Sequence, residues 1–192
     1  MRVLTWARAL VVFLAALVVG GGCSTPSPEG FVFLGDQEVE FVAPRRTWEK
    51  SEKKEQIVDS KGQTVNAVVT ITWDRPDKET GTISVKTGGK IQNQEIDEDL
   101  VRLLRQRLTD DRWRITQFQW ITVHGLKAYA LDFEWDAEIG RQVHFIYQGY
   151  AWSLEMLCPR DHAKDTRSVF DLLVDSFRFK GTATPPTPIA TP

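Results

Sequence analysis

The side chains best suited to metal binding or proton transfer are scattered through the sequence. The three histidines, His124, His144 and His162, are isolated from one another, and no HExxH, CxxC or paired Cys/His spacing occurs. The GxSxG and GxxxxGKS/T motifs of nucleophilic and phosphate-binding enzymes are also missing. Because such spacings bring catalytic or ligating groups together, their absence predicts a non-enzymatic protein without a metal or other cofactor.

One small set of polar residues would still meet if the strands that carry the histidines were neighbours. His124 and His144 would then approach Asp132 and form a small ligand set, since imidazole and carboxylate groups bind metals and exchange protons. Asp132 also shares a strand face with Glu134, an arrangement that a glycosidase could use. The alternative for both groupings is a polar row that faces solvent, and the sequence favours that alternative.

Tryptophans offer a second candidate surface. Six of the seven follow residue 22, which is more than a domain of this size needs for its core. In an alternating segment, one face carries Thr116, Phe118, Trp120, Thr122 and His124, and the other carries Ile115, Ile121 and Val123. Either one of these rows is an exposed aromatic binding surface, or helices cover both faces. The candidate ligand or partner surface therefore comprises Trp120, His124, Asp132 and His144.

The N-terminal residues predict export. Two arginines precede an uncharged apolar run over residues 9–19, and three glycines end it well short of the roughly 20 residues that a bilayer-spanning helix needs. Residues 1–22 are therefore interpreted as a signal peptide. The small residues before Cys23 resemble the lipobox of bacterial lipoproteins, with Gly20 where that pattern usually has an aliphatic residue, and the resemblance implies that Cys23 is lipidated. Ordinary signal cleavage nearby and a retained anchor helix are the alternatives.

The segments on either side of the domain have the composition of linkers. Residues 23–30 contain STPSPEG, whose prolines discourage helix and sheet, and this predicts a flexible tether after the lipidated cysteine. Residues 181–192 predict a disordered tail rich in proline and threonine. Loss of the leader's two arginines changes the net charge from −2 to −4, which argues against nucleic-acid binding. Ser24 favours the periplasmic side of the outer membrane, by the sorting habit of some Gram-negative lipoproteins.

Two periodicities organise residues 31–180. Alternating apolar residues predict strands, and a spacing of three to four predicts helices. The first half is predicted to contain strands 31–34 and 39–43, followed by a hairpin of strands 65–73 and 82–87. A helix is predicted from Ile96, and its apolar face carries Leu100, Leu103, Leu104 and Leu108. The second half is predicted to contain four antiparallel strands over 113–124, 126–135, 141–148 and 150–158, then a helix over 160–176 and a closing strand over 177–179. Residues 47–58 are too rich in lysine and glutamate to assign.

The second half predicts a sheet that is buried on one face. In strand 126–135 the core face carries Tyr129, Leu131, Phe133 and Trp135, and the other face carries Ala128, Ala130, Asp132 and Glu134. Helices must cover the core face. Cys158 closes strand 150–158 and is predicted to be a small buried residue without a disulfide, because Cys23 is the only other cysteine.

The order of elements resembles the PsbP/DcrB-like fold. The particular cues are VEFVAPRRTW at 39–48, VHGLKAYALDF at 123–133 and VFDLLVDSFRF at 169–179. The resemblance covers residues 31–180 and implies an α+β domain in which helices flank an antiparallel β-sheet, an α/β/α sandwich. Members include extrinsic subunits of photosystem assemblies and bacterial envelope lipoproteins, so the resemblance also implies a non-catalytic binding or assembly role.

These observations lead to two expected functions. The first is a membrane-anchored lipoprotein of the bacterial cell envelope that docks another envelope protein. The second is an envelope protein that binds a small ligand or a metal through a sheet face lined by tryptophan and histidine. An enzyme is the least supported class, because no catalytic spacing occurs.

Overall fold

The computed structural model describes residues 26–58, 64–76, 81–93 and 95–180. These segments contain ten strands and two α-helices: β1 Glu29–Val32, β2 Glu38–Phe41, β3 Glu49–Val58, β4 Thr64–Asp74, β5 Thr82–Lys90, α1 Glu98–Asp110, β6 Arg114–Val123, β7 Leu126–Trp135, β8 Glu138–Tyr147, β9 Tyr150–Pro159, α2 Ala163–Ser176 and β10 Arg178–Phe179. The predicted strands and helices are present with shifted ends, and the unassigned lysine-rich and glutamate-rich segment forms β3.

Two antiparallel sheets make up most of the fold. Seven strands form the main sheet in the order β3-β4-β5-β9-β8-β7-β6, and a smaller sheet has the order β1-β2-β10. The predicted hairpin, β4 with β5, and the predicted run of four consecutive strands, β6 to β9, are both confirmed. Because β9 pairs with β5, the run extends the hairpin sheet and leaves β6 at one edge and β3 at the other.

Two tight turns set the register of the β6 to β9 run. His124 and Gly125 connect β6 to β7, and Gln148 and Gly149 connect β8 to β9; their φ angles are 48°, 78°, 51° and 77°. Positive φ at both central residues defines a type I′ turn, whose twist matches the twist of paired strands. His124 therefore occupies a turn position and not a position on the sheet surface.

Both faces of the main sheet are buried at its centre, so the prediction of a single buried face is wrong. On one face, Ala130 of β7 joins a core that includes Phe41 of β2 and Phe170 of α2. On the other face, Leu131 joins a smaller core with Val101 of α1. The alanines of β7 are short enough for the aromatic side chains of a covering layer to pack directly against the sheet.

Helix α1 presents the predicted apolar face with one exception, since Leu100 and Leu104 pack against the smaller core as predicted. Its N-terminus is capped by Asp97, whose carboxylate accepts a hydrogen bond from the Leu100 amide at 2.9 Å. Val101 and Leu108 are buried, whereas Leu103 is 57% exposed, so the assignment of Leu103 to the apolar face is wrong. Val101 and Leu108 are two helical turns apart and therefore lie on the same face of α1, the face that packs against the sheet. Position 103 points away from that face.

The single cysteine in the described part of the chain is buried, as predicted. Cys158 is 1% exposed and joins the larger core. Burial raises the pKa of its thiol, because the thiolate is poorly solvated there. The prediction of a small buried residue at position 158 is therefore confirmed.

The structure describes part of the predicted tether but not the residues of the predicted lipid anchor. Strand β1 begins at Glu29, so the last two residues of the segment interpreted as a tether are in a strand. Residues 1–22, which are interpreted as a signal peptide, Cys23 and residues 181–192 lie outside the described residues. Within the described part of the chain, neither helix is long and apolar enough to cross a membrane.

Candidate functional site

The topology separates the four residues of the predicted surface. Strand β7 lies between β6 and β8, so the strands that carry the two histidines are not neighbours. His124 sits in a turn, with its ring 6.4 Å from the ring of Phe179. Asp132 faces α2, and His144 lies on the opposite face, beneath α1. No group of three or more His, Cys, Asp or Glu side chains in the described segments could hold a metal ion.

Asp132 is held in an ion-pair cluster between the main sheet and α2. Its carboxylate oxygens lie 3.5 Å from Arg141 of β8 and 2.7 Å from Arg167 of α2. The side chains of Asp132 and Arg141 are only 14% and 16% exposed. The neighbouring Glu134 pairs with Arg114 and, at 3.1 Å, with Arg160. The predicted polar row is therefore a row of ion pairs, and Asp132 connects two structural layers.

Trp120 belongs to an exposed aromatic surface at the edge of the main sheet. It is 39% exposed, and its neighbour on the same face of β6, Phe118, is 52% exposed. Both rings contact Tyr129 of β7, at 4.9 Å and 6.2 Å between centroids. Lys127 lies 4.2 Å above the Trp120 ring, and Arg105 of α1 lies 4.4 Å above the Phe118 ring. These five residues are called the aromatic edge.

A bulge in β6 changes the composition of the predicted rows. The pairing with β7 shifts between Ile115 and Gln117, which leaves Thr116 as the extra residue. Ile115 consequently joins the smaller core under α1, on the same side of the sheet as Trp120. The prediction that Ile115 lies opposite Trp120 is wrong, because strict alternation fails across a bulge.

The two edges of the main sheet differ in their protection. At the β3 edge, exposed lysines and glutamates are interspersed and form pairs such as Lys53 with Glu55 and Lys54 with Glu52. Charged side chains of this kind prevent an edge strand from pairing with another chain. Strand β6 contains one charged residue, Arg114, no acidic residue and two exposed aromatic rings. The β6 edge is therefore the one suited to contact with another molecule.

A second site lies between α1 and the main sheet, where a cleft encloses about 520 Å³. This α1 cleft has a polar side formed by Lys86, Arg107, Asp111, Gln142, His144, Ser153 and Glu155. Its apolar side is formed by Val68, Leu104, Leu108, Trp113, Phe133 and Leu157. The volume is within the range of small-molecule sites, and the combination of apolar walls with a few convergent polar groups is typical of them.

A chain of hydrogen bonds connects three strands along the polar side of the α1 cleft. A His144 ring nitrogen lies 3.1 Å from the Gln142 side-chain oxygen, and the Gln142 amide donates to Glu155 at 3.0 Å. Lys86 also donates to Glu155, at 3.1 Å. Because Glu155 receives two donors, its negative charge is compensated within the site.

His144 is the strongly perturbed titratable group of the α1 cleft. Burial, together with the nearby positive charges of Lys86 and Arg107, lowers its pKa from 6.5 to about 4. The imidazole is therefore neutral at physiological pH. With one ring nitrogen donating to Gln142, the other is an acceptor.

Sequence reasoning identified His144 but not the residues around it. Lys86, Gln142 and Glu155 come from three strands and become neighbours only through the pairings of Lys86 with Ser153 and of Gln142 with Glu155. The available signal was weak: Ser153 and Glu155 alternate with buried residues in β9. Nothing in the sequence indicates that α1 covers this part of the sheet.

Comparison with known structures identifies the fold class. The solution structure of cyanobacterial PsbP (CyanoP) from Synechocystis superimposes with a TM-score of 0.54, at 14% sequence identity, over 85% of this chain and 98% of that one. A protein of unknown function from Pseudomonas aeruginosa gives a TM-score of 0.41 at 12% identity, over 83% of this chain and 99% of the other. Comparison with protein-family models and with curated proteins finds no match. The molecule is therefore an α+β protein, mostly antiparallel sheet with two helices, and its fold is PsbP-like.

Proposed function

We propose that this protein is a non-catalytic binding module of the bacterial cell envelope, which docks an extended acidic segment of another envelope protein along the aromatic edge. The observation that supports this proposal most strongly is the contrast between the edges of the main sheet. The β3 edge carries paired charges, whereas the β6 edge exposes Phe118 and Trp120.

An edge strand can bind a partner by extending the sheet. In the described part of the chain, β6 pairs only with β7, so its outer backbone groups are available for an eighth strand. Exposed aromatic rings supply the apolar anchors that dominate binding energy in most interfaces. Arg105 and Lys127 lie over those rings and favour a partner with acidic side chains.

Replacing Lys127 with Glu reverses a charge at this surface. We expect Lys127→Glu to weaken partner binding by about tenfold or more, because the introduced carboxylate repels an acidic partner and the cation above Trp120 is lost. Lys53→Glu at the β3 edge is the matched control and should leave binding unchanged. The measurement is in-cell photo-crosslinking with p-benzoylphenylalanine at Gln119, compared with the same probe at Lys53. Equal crosslinking from both edges, or no effect of Lys127→Glu, would contradict the proposal.

The anchor and the layered arrangement belong to the same proposal. A lipid on Cys23 would hold the domain at the membrane, in the outer membrane if Ser24 acts as the sorting residue. The α/β/α sandwich is supported by the two cores, since α1 contributes to the smaller one and α2 to the larger one. In this arrangement β6 is an edge strand of the central sheet, and a partner can pair with its outer side.

Lipidation of Cys23 makes a direct prediction. We expect the intact mass of the protein purified from membranes to exceed that of the polypeptide beginning at Cys23 by the mass of a diacylglycerol group and an amide-linked acyl chain. We expect Cys23→Ser to release the protein into the soluble envelope fraction. An unmodified mass, or a retained residue 1, would overturn the anchor while leaving the docking surface untouched.

An alternative function, binding of a small ligand, is favoured by a different observation. The α1 cleft combines a polar side around His144 with apolar walls that include Trp113 and Phe133. This is a sheet face lined by tryptophan and histidine, but its tryptophan is Trp113 and not Trp120.

A further inference from the structure

We propose that the α1 cleft binds a small organic anion, an apolar or aromatic body that carries one carboxylate, with the carboxylate placed beside His144 and Arg107. The inference rests on the alternative function, ligand binding in the α1 cleft, and deepens it by naming the class of ligand. The cleft is separate from the aromatic edge, so the two proposals stand or fall independently.

The shape of the cleft favours a ligand with two chemically different ends. Leu104 and Leu108 of α1 form one wall, and Trp113 and Phe133 lie against each other at 5.0 Å between ring centroids. The opposite side is the hydrogen-bonded row that contains His144. An apolar body gains free energy by covering the wall, and a polar head satisfies the groups of the row.

The charges of the cleft favour an anion. Glu155 is already paired with Lys86 and accepts a hydrogen bond from the Gln142 amide. Arg107 forms no salt bridge with any residue that the structure describes, and it faces the cleft. The remaining acid, Asp111, is exposed at the end of α1. The formal charges of the cleft balance, but the two cations, Lys86 and Arg107, are the charges that lower the pKa of His144. A ligand carboxylate placed beside His144 and Arg107 would therefore meet a locally positive field.

Such a ligand would couple its binding to a proton. The charged groups that face His144 are Lys86 from β5, Glu155 from β9, and Arg107 and Asp111 from α1 and its C-terminal cap. In the free protein, burial together with Lys86 and Arg107 keeps the His144 pKa at about 4. A bound carboxylate raises that pKa, because it stabilises the imidazolium. The anion should consequently bind more tightly as the pH falls toward the range in which bound His144 becomes protonated.

The test compares an acid with its uncharged isostere. Backbone amide NMR shifts of the lipid-free domain would be recorded during titration with 3-phenylpropionate, 3-phenylpropionamide and inorganic phosphate, at about pH 7.5 and about pH 5.5. We expect 3-phenylpropionate to shift residues of the cleft and to bind about tenfold more tightly at the lower pH. His144→Gln should remove this pH dependence. Arg107→Gln should weaken the binding of 3-phenylpropionate and leave the binding of 3-phenylpropionamide unchanged. The NMR spectra themselves report whether each variant is folded.

The outcomes separate the inference from the function on which it rests. If 3-phenylpropionamide binds the cleft as tightly as 3-phenylpropionate does, the cleft binds ligands but the preference for an anion is overturned. If phosphate alone binds, the requirement for an apolar body is overturned. If none of the three probes shifts the cleft residues, both the anion inference and the ligand-binding function at this cleft are overturned. If 3-phenylpropionate binds the His144→Gln variant with unchanged pH dependence, His144 is not the group whose protonation is coupled to binding.

Discussion

Lowering the pH from about 7.5 to about 4.5 is expected to reduce the free energy of unfolding by roughly 2–3 kcal/mol through His144 alone. The folded state keeps the His144 pKa at about 4, whereas the ordinary value is 6.5. Below about pH 6.5 the unfolded chain binds a proton that the folded protein resists, so protonation favours unfolding. This loss begins near the ordinary pKa and levels off once the pH falls below the folded pKa.

Urea denaturation of the wild type and His144→Gln at both pH values isolates this contribution. Glutamine keeps a neutral side chain with hydrogen-bonding capacity and does not titrate. The difference in stability between the two proteins should therefore shift in favour of the variant by about 2–3 kcal/mol at the lower pH. Carboxylates elsewhere in the chain titrate equally in both proteins and cancel. Parallel stability curves for the two proteins would show that His144 is readily protonated in the folded state.

Removal of the Asp132 carboxylate is expected to cost roughly 3 kcal/mol of stability. Asp132→Ala leaves Arg141 with its side chain 16% exposed and without the carboxylate that lies 3.5 Å away. Losing the carboxylate that is in direct contact leaves the largely buried Arg141 charge with the more distant Asp171 as its acidic neighbour, so the cost exceeds that of a surface pair. Arg167, which is 39% exposed, can turn toward solvent and adds less.

Two controls distinguish this explanation from a general sensitivity to mutation. Asp99→Ala removes an exposed ion pair with Arg102 and should change the stability by less than about 0.5 kcal/mol. The double variant Asp132→Leu with Arg141→Met should recover most of the lost stability, because it removes the buried charge along with its partner. The urea midpoint is the measurement. A double variant no more stable than Asp132→Ala would indicate that the carboxylate acts by some means other than charge compensation.

The reassignment of Asp132 shows where sequence patterns mislead about function. Two acidic residues that follow two alanines on one face of a strand predict a solvent-facing row, and the sequence contains nothing to indicate that α2 lies over it. The helix supplies Arg167, and β8 supplies Arg141. Both partners are distant in the chain, so the ion-pair cluster depends on packing that local spacing does not encode.

The exposed aromatic surface was easier to anticipate. Phe118 and Trp120 are two residues apart in a strand, and this spacing alone places them on one face. Whether that face is covered depends on the length and position of α1, which leaves both rings exposed and packs its buried residues against β7. The spacing therefore predicted a shared aromatic row, and the helix position decided that the row is open.

The sequence by itself determined the secondary structure, which depends on residues that are close together along the chain. Alternation in the second half specified four antiparallel strands, glycines marked their turns, and the spacing of apolar residues marked both helices, because strand and helix periods are local properties. Tertiary structure alone decided that β7 separates the two histidines, that both faces of the sheet are covered, and that Lys86, Gln142 and Glu155 meet beside His144. Strand order and layer packing are set by the burial of apolar surface between residues far apart in sequence, and a single pattern of residue types is compatible with more than one such arrangement.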